Sequence, residues 1–146
     1  FLMPVEECKG EVINMAKIVK YYSKKKESGV QLSANFKVKE FACKDGSDVI
    51  FISPELVDIL QKIRNHFKSA VTITSGYRTP TYNKKIGGAT YSQHTYGTAV
   101  DIKVKGIKPK AVAQFVETLM PNTGGIGIYK NFTHVDVREE KSRWNG

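Results

Sequence analysis

The sequence has little of what would commit a chain to a disulfide framework or to a bilayer: two cysteines in 146 residues, Cys8 and Cys43, and only short apolar runs. One pair allows at most one internal bridge, and residues so far apart make no closely spaced metal-binding pair. The run from Val49 to Ile52 falls far short of the roughly 20 residues that cross a membrane. No segment has the order of a secretion leader. The expectation is therefore a soluble chain with no membrane span. The chain opens on Phe1, which fits a start inside a longer precursor or after a removed leader.

Acidic residues are scarce as well, 14 Asp and Glu against 23 Lys and Arg, which leaves a formal charge of +9. Such a balance draws a protein to polyanions, whether nucleic acid, acidic membrane or an anionic cell wall. Charge does not choose among them. No nucleic-acid motif accompanies the lysines, so a specific nucleic-acid partner is not expected. At 40% hydrophobic and 25% charged, the chain has material for one core, which excludes a disordered tail.

Val12, Met15, Ala16, Val19 and Tyr22 recur at helical spacing, so residues 5–26 read as an amphipathic helix. Its other face carries Lys17, Lys20, Lys24, Lys25 and Lys26, either as a solvated surface or as a polyanion contact. Residues 1–30 are thus expected to form a helix and linker, and residues 31–146 the domain. Short extended pieces are expected at 35–41 and 49–52. Ser53-Pro54-Glu55 starts a helix, since serine caps and proline fits the first turn. Leu56, Leu60, Ile63 and Phe67 give that helix one buried face. Residues 71–74 and 99–104 alternate as strands. A second helix begins near Pro109, and residues 126–138 are extended. The fold class is α+β, a small antiparallel sheet with flanking helices.

Histidine is the other rarity, with three in the chain. Two of them precede a carboxylate: His94 lies in Ser92-Gln93-His94-Thr95-Tyr96-Gly97-Thr98-Ala99-Val100-Asp101, and His134 in Phe132-Thr133-His134-Val135-Asp136. Imidazole and carboxylate suit zinc, and a catalytic zinc takes three protein ligands so that a position remains for water. Asp101 and His134 both fall opposite the apolar faces of their strands, where neighbouring strands would bring them to one point. His94 would reach in from the preceding loop, with Gly97 permitting a tight turn. An ordinary surface or hydrogen-bonded histidine fits the spacing too. His66 reads as a surface residue or a cation near a helix end.

Ser75-Gly76-Tyr77-Arg78-Thr79-Pro80, Asn83, Gly87-Gly88-Ala89, the His94 to Asp101 motif, and Gly125 through Tyr129, Phe132, His134 and Asp136 to Arg138 together closely resemble the M15 family of zinc D-Ala-D-Ala peptidases. The likeness is greatest to its short bacterial and phage branch of wall-cleaving enzymes, and it spans about residues 33–144. It implies the hedgehog/DD-peptidase-like fold and one zinc ion held by His94, Asp101 and His134. It also implies that Arg78 faces the substrate, where a planar fork can hold a carboxylate or carbonyl oxygen; a structural ion pair is the other reading. Ser92 and Gln93 would line the same pocket or fix the loop that carries His94. Tyr77, Tyr91, Tyr96 and Tyr129 crowd these motifs and suit packing or substrate contact. Arg143-Trp144 resembles the family's closing pair, which would lock the C-terminal segment or wall the cleft.

The implied activity is zinc-dependent hydrolysis of peptide bonds in the stems or crosslinks of bacterial peptidoglycan, by a D,D-carboxypeptidase or an endopeptidase. The expected setting is the cell wall, extracellular or phage-associated, and the expected state a monomer. One departure stands out. Better-known relatives place a glutamate three residues before the last histidine ligand, or a second histidine two before it, and this chain has Asn131 and Phe132 there. Neither can take a proton. Asp136 is then either the general base or an anchor for a ligating histidine. The alternative from another class is an inactive, zinc-stabilised wall-binding or interaction module.

Overall fold

The computed structural model describes residues 17–146. Strand β1 (Lys20–Ser23) runs into a single helical turn, α1 (Lys24–Glu27), followed by the short hairpin β2 (Gln31–Ser33) and β3 (Phe36–Lys37), and then β4 (Val49–Ile52), which pairs antiparallel with β1. The helix expected to reach residue 26 is corrected here. Tyr21 and Tyr22 favour a pleated, half-buried surface, and β4 offers them an apolar ladder in which Tyr22 lies across from Ile50. Ser23 then caps the new turn, its hydroxyl accepting from the Lys26 N–H while Glu27 reaches back to the Ser23 N–H. The earlier part of the expected helix, and Cys8, lie outside the described residues. Cys43 is buried, and its Sγ accepts from the Thr79 N–H at 3.5 Å.

The extended piece expected at 35–41 is strand only at β3. Glu40 accepts from the Lys37 N–H at 2.7 Å and caps a 3-10 turn, Val38–Phe41, that buries Val38 and Phe41. Helix α2 (Pro54–Phe67) follows the sequence reading. Ser53 Oγ accepts from the Leu56 N–H at 3.2 Å, Pro54 sits in the first turn, and Leu56, Leu60 and Ile63 are buried. The next elements are β5 (Val71–Ser75), α3 (Pro80–Lys85), β6 (Ala99–Val104), α4 (Pro109–Leu119), β7 (Gly125–Ile128), β8 (Thr133–Asp136) and β9 (Ser142–Asn145).

Five of these strands form one sheet in the order β5-β6-β8-β7-β9, antiparallel throughout except for the parallel pair β7 and β9. With the flanking helices this is the expected α+β class. Val100, Ile102 and Val104 of β6, Val135 of β8 and Ile126 of β7 join the core that Leu60 and Ile63 of α2 and Val112 and Val116 of α4 complete. Side chains alternate along a strand, so Asp101, His134 and Asp136 project from the opposite face of the sheet. His66 is exposed in the last turn of α2, as the sequence suggests, and its ring stacks on Phe115 of α4 with centres 3.8 Å apart.

Candidate metal centre

The register of the central strands places Asp101 of β6 directly across from His134 of β8. Asp101 Oδ1 lies 2.9 Å from His134 Nδ1 and 3.3 Å from His94 Nε2. His94 arrives on a 3-10 turn, Gln93–Tyr96. Ser92 opens that turn by accepting from the His94 N–H at 3.2 Å, and Gly97 closes it in the left-handed region at φ 76°. A β-carbon at Gly97 would come within 2.6 Å of the Phe51 carbonyl oxygen.

Each imidazole is held by the nitrogen turned away from Asp101. His94 Nδ1 donates to the Gly76 carbonyl at 2.8 Å, and His134 Nε2 donates to Asp136 Oδ2 at 2.7 Å. His94 therefore presents Nε2 and His134 presents Nδ1. The candidate ligand atoms of His94, Asp101 and His134 lie within 4.8 Å of one another, and all three residues are buried. Two imidazole nitrogens and one carboxylate oxygen make a zinc donor set with room for further ligands, and the backing carbonyl and carboxylate are the partners that fix ligating histidines.

Asp136 has no exposed surface. Its Oδ1 accepts from Gly125 N–H (3.0 Å), Arg138 N–H (3.1 Å) and Arg138 Nε (2.8 Å), while Oδ2 accepts from Arg138 Nη2 and His134 Nε2, both at 2.7 Å. Gly125 and Gly127 of β7 lie across from Asp136 and His134, and both positions need to be bare. A β-carbon at Gly125 would stand 2.2 Å from Asp136 Oδ2, and one at Gly127 would stand 2.6 Å from the Trp144 indole.

Burial opposes ionisation of Asp101, but hydrogen bonds and charge from His134 and His94 outweigh it and hold the carboxyl well below the usual carboxylate range. Burial is likewise outweighed at Asp136, by His134 and Arg138. For His134 the desolvation penalty is exceeded by Asp101 and Asp136 on either side, so its pKa is raised.

The donor set lies in a cleft of about 400 Å³ whose lining includes Arg78, Ser92, Gln93, Tyr129, Phe132 and Trp144. Arg78 is largely tied down: Nε donates to Ser75 Oγ at 3.0 Å, Nη1 to Asn83 Oδ1 at 3.1 Å and Nη2 to Asp101 Oδ2 at 3.4 Å. Gln93 Oε1 accepts from Thr98 Oγ1 at 2.8 Å. Phe132 stacks on Tyr129 with ring centres 4.4 Å apart. Tyr91 also lines the cleft and is largely exposed, whereas Tyr77 is buried in the core and Tyr96 lies outside the cleft.

A family model described as Peptidase M15 matches residues 32–136, which include all three candidate ligands. The chain belongs to the M15 peptidases. Members of this family are zinc enzymes, and the donor set built by β6, β8 and the 93–96 turn fits that ion. Curated relatives include proteins named peptidoglycan L,D-endopeptidase MepK from Escherichia coli strain K12 and from Shigella flexneri. Each is 32% identical over 95 residues, covering 59% of this chain and 51% of the relative. The chain thus spans about half the length of the curated relatives it matches.

Against this M15 site the closing pair divides its labour. Arg143 donates to Glu117, Met120 O and Gly124 O and so pins β9 to α4, while Trp144 walls the cleft with its ring centre 5.0 Å from that of His134. Adjacent residues of a strand face opposite ways, so one pair serves both purposes. The residues that sequence reasoning left without a role are Gly125, Gly127 and Arg138. Their signal was parity: two glycines two apart on one strand, and an arginine two positions beyond Asp136.

Proposed function

We propose that the chain is a zinc-dependent peptidase that hydrolyses peptide bonds in the stems or crosslinks of bacterial peptidoglycan. The observation that carries this reading is the three-donor site with both imidazoles anchored, on the floor of an open cleft. The name of the curated relatives, peptidoglycan L,D-endopeptidase, makes a bond between an L and a D residue the first to test, ahead of D,D-carboxypeptidase cleavage. Its place of action would be the cell wall, reached from outside or from a phage particle, and the protein would act as a monomer.

Bound zinc lowers the pKa of water, polarises the scissile carbonyl and stabilises negative charge on its oxygen. The chain's own residues supply geometry. Asp136 serves as anchor rather than base: donors from Gly125, Arg138 and His134 engage both of its oxygens, and its charge keeps His134 Nδ1 turned to the ligand cluster. Arg78 holds Oδ2 of Asp101 so that Oδ1 faces the histidines, and its remaining N–H bonds are available to a substrate carbonyl or carboxylate. Ser92 fixes the His94 turn, and Gln93 borders the substrate. Asp136→Asn should weaken zinc binding by roughly 10- to 100-fold, measured by chelator competition, with the far-UV spectrum as the control for folding. Full zinc affinity with lost hydrolysis would instead make Asp136 the base.

A second reading is favoured by one observation. Among the described residues lining the cleft, the carboxylate is Asp101 and the imidazoles are His94 and His134, all candidate ligands. A wall-binding module that keeps zinc without hydrolysis fits that inventory. Digestion of purified peptidoglycan by zinc-loaded protein, with and without chelator, separates the two. Metal-dependent release of stem peptides supports the peptidase. One equivalent of zinc with wall binding and no released peptide supports the module.

A further inference from the structure

We infer that Arg138 is an anion subsite of this cleft, a specificity-determining residue that takes a carboxylate of the bound peptide. The inference rests on the peptidase reading for what the cleft binds, but not on hydrolysis itself.

A guanidinium carries five N–H donors. In Arg138 the side-on edge is committed, with Nε and Nη2 donating to the two oxygens of buried Asp136 at 2.8 and 2.7 Å. Nη1 has no hydrogen-bond partner among the described residues. The end-on pair formed by Nη1 and the second N–H of Nη2 is therefore open, and the side chain, 31% exposed, lines the cleft. Trp144 backs the group, with the guanidinium carbon over the ring at 5.5 Å from its centre, within reach of a cation–π contact. One edge and one face of Arg138 are thus fixed, which leaves little ordering to be done when a ligand arrives.

Arg78 contrasts with it. All three of its nitrogens already donate to protein acceptors, and its side chain is 14% exposed. The more available fork in the cleft is that of Arg138. Among the described lining residues the one acid is Asp101, whose Oδ1 faces the two histidines. The nearer carboxylate, Asp136, is fully buried behind the guanidinium with both oxygens engaged by Gly125, His134 and Arg138, so a ligand meets the open end-on edge rather than that group. Two hydrogen bonds and one imidazole ring separate Arg138 from the ligand-facing Nδ1 of His134. About two residues of extended peptide, at roughly 3.3–3.6 Å each, bridge a gap of that kind. The favoured substrate therefore carries a free carboxylate within about two residues of the bond presented to the metal site.

Trp144 is the sole tryptophan of the chain, so its fluorescence reports binding at Arg138 directly. The test is a fluorescence titration of the zinc-loaded full chain with N-acetyl-D-alanine and, separately, with N-acetyl-D-alanine amide. The carboxylate should bind about tenfold or more tighter than the amide, the scale of one charge-assisted contact. Arg138→Gln should bring that ratio close to one, and Arg138→Lys, which keeps the charge without the fork, should leave it in between. Metal analysis and the far-UV spectrum of each variant confirm one zinc and an intact fold before the ratio is read, because Arg138 also holds Asp136 behind His134. Equal affinities in the unsubstituted protein would overturn the proposal, as would a ratio preserved in Arg138→Gln. If Arg138→Gln fails to fold, Arg138→Lys decides by the same ratio. Binding is read without turnover: carboxylate selectivity in a protein that cleaves no wall would sink the peptidase reading alone, and cleavage without selectivity would sink this one alone.

Discussion

Gly125 and Gly127 mark where the site depends on atoms that are missing from the chain. The Asp136 carboxylate occupies the space a side chain at 125 would take, and the Trp144 indole the space of one at 127. Gly125→Ala should therefore displace Asp136, weaken zinc binding by about tenfold or more and cost roughly 1–3 kcal/mol through overpacking. Gly127→Ala should change Trp144 fluorescence and leave zinc affinity nearer to that of the parent. Chelator competition and denaturant unfolding distinguish the pair. His134 supplies a second prediction. Its pKa is raised above 6.5 in the metal-free fold, so the stabilisation from its imidazolium is complete below that value and fades as pH rises through the higher folded value. Zinc must displace the same proton. Metal-free stability should fall and zinc affinity should climb over that interval, as thermal melts and metal titrations at stepped pH would show. The candidate ligands were legible in the sequence through the motifs shared with the M15 peptidases, since rare histidines near aspartates fit an ordinary hydrogen-bonded role as well. Which ring nitrogen faces inward was not, since Gly76 O and Asp136 decide that only after folding.

Helices and central strands were readable where the signal is local. Ser53 and Pro54 mark the start of α2, and the alternation of Val100, Asp101 and Ile102 marks β6. Edge elements were not, because their partners are distant in the chain: β1 owes its strand to β4, and β9 lies parallel to β7. The β9 attachment depends heavily on Arg143, which hydrogen-bonds Glu117 and the carbonyls of Met120, Thr123 and Gly124. Arg143→Ala should destabilise the fold by about 2 kcal/mol or more, because it strips acceptors that water replaces poorly. Trp144→Phe should cost less stability and act mainly on cleft binding. Urea unfolding of the two variants against peptide affinity is the check.

At the level of the entire molecule, the sheet keeps two chemistries apart: α2 and α4 cover the apolar face, and the metal donors occupy the other. The family follows from motifs strung along most of the chain, whereas the formal charge of +9 names only the sign of a partner. If that partner is an anionic wall, retention on purified sacculi should weaken steadily as salt rises from about 0.05 to 0.5 M, where screening shortens the reach of surface charge. Salt-independent retention would point to the cleft alone.

The cross-strand neighbours Asp101 and His134 are joined by backbone pairing whether or not an ion is present, but His94 comes from a turn outside the ladder. A metal at this point would work as a buckle for that turn rather than as a rivet for the sheet. Starved of it, the molecule would keep its frame and let its mouth slacken, so that activity would lapse well before the fold did.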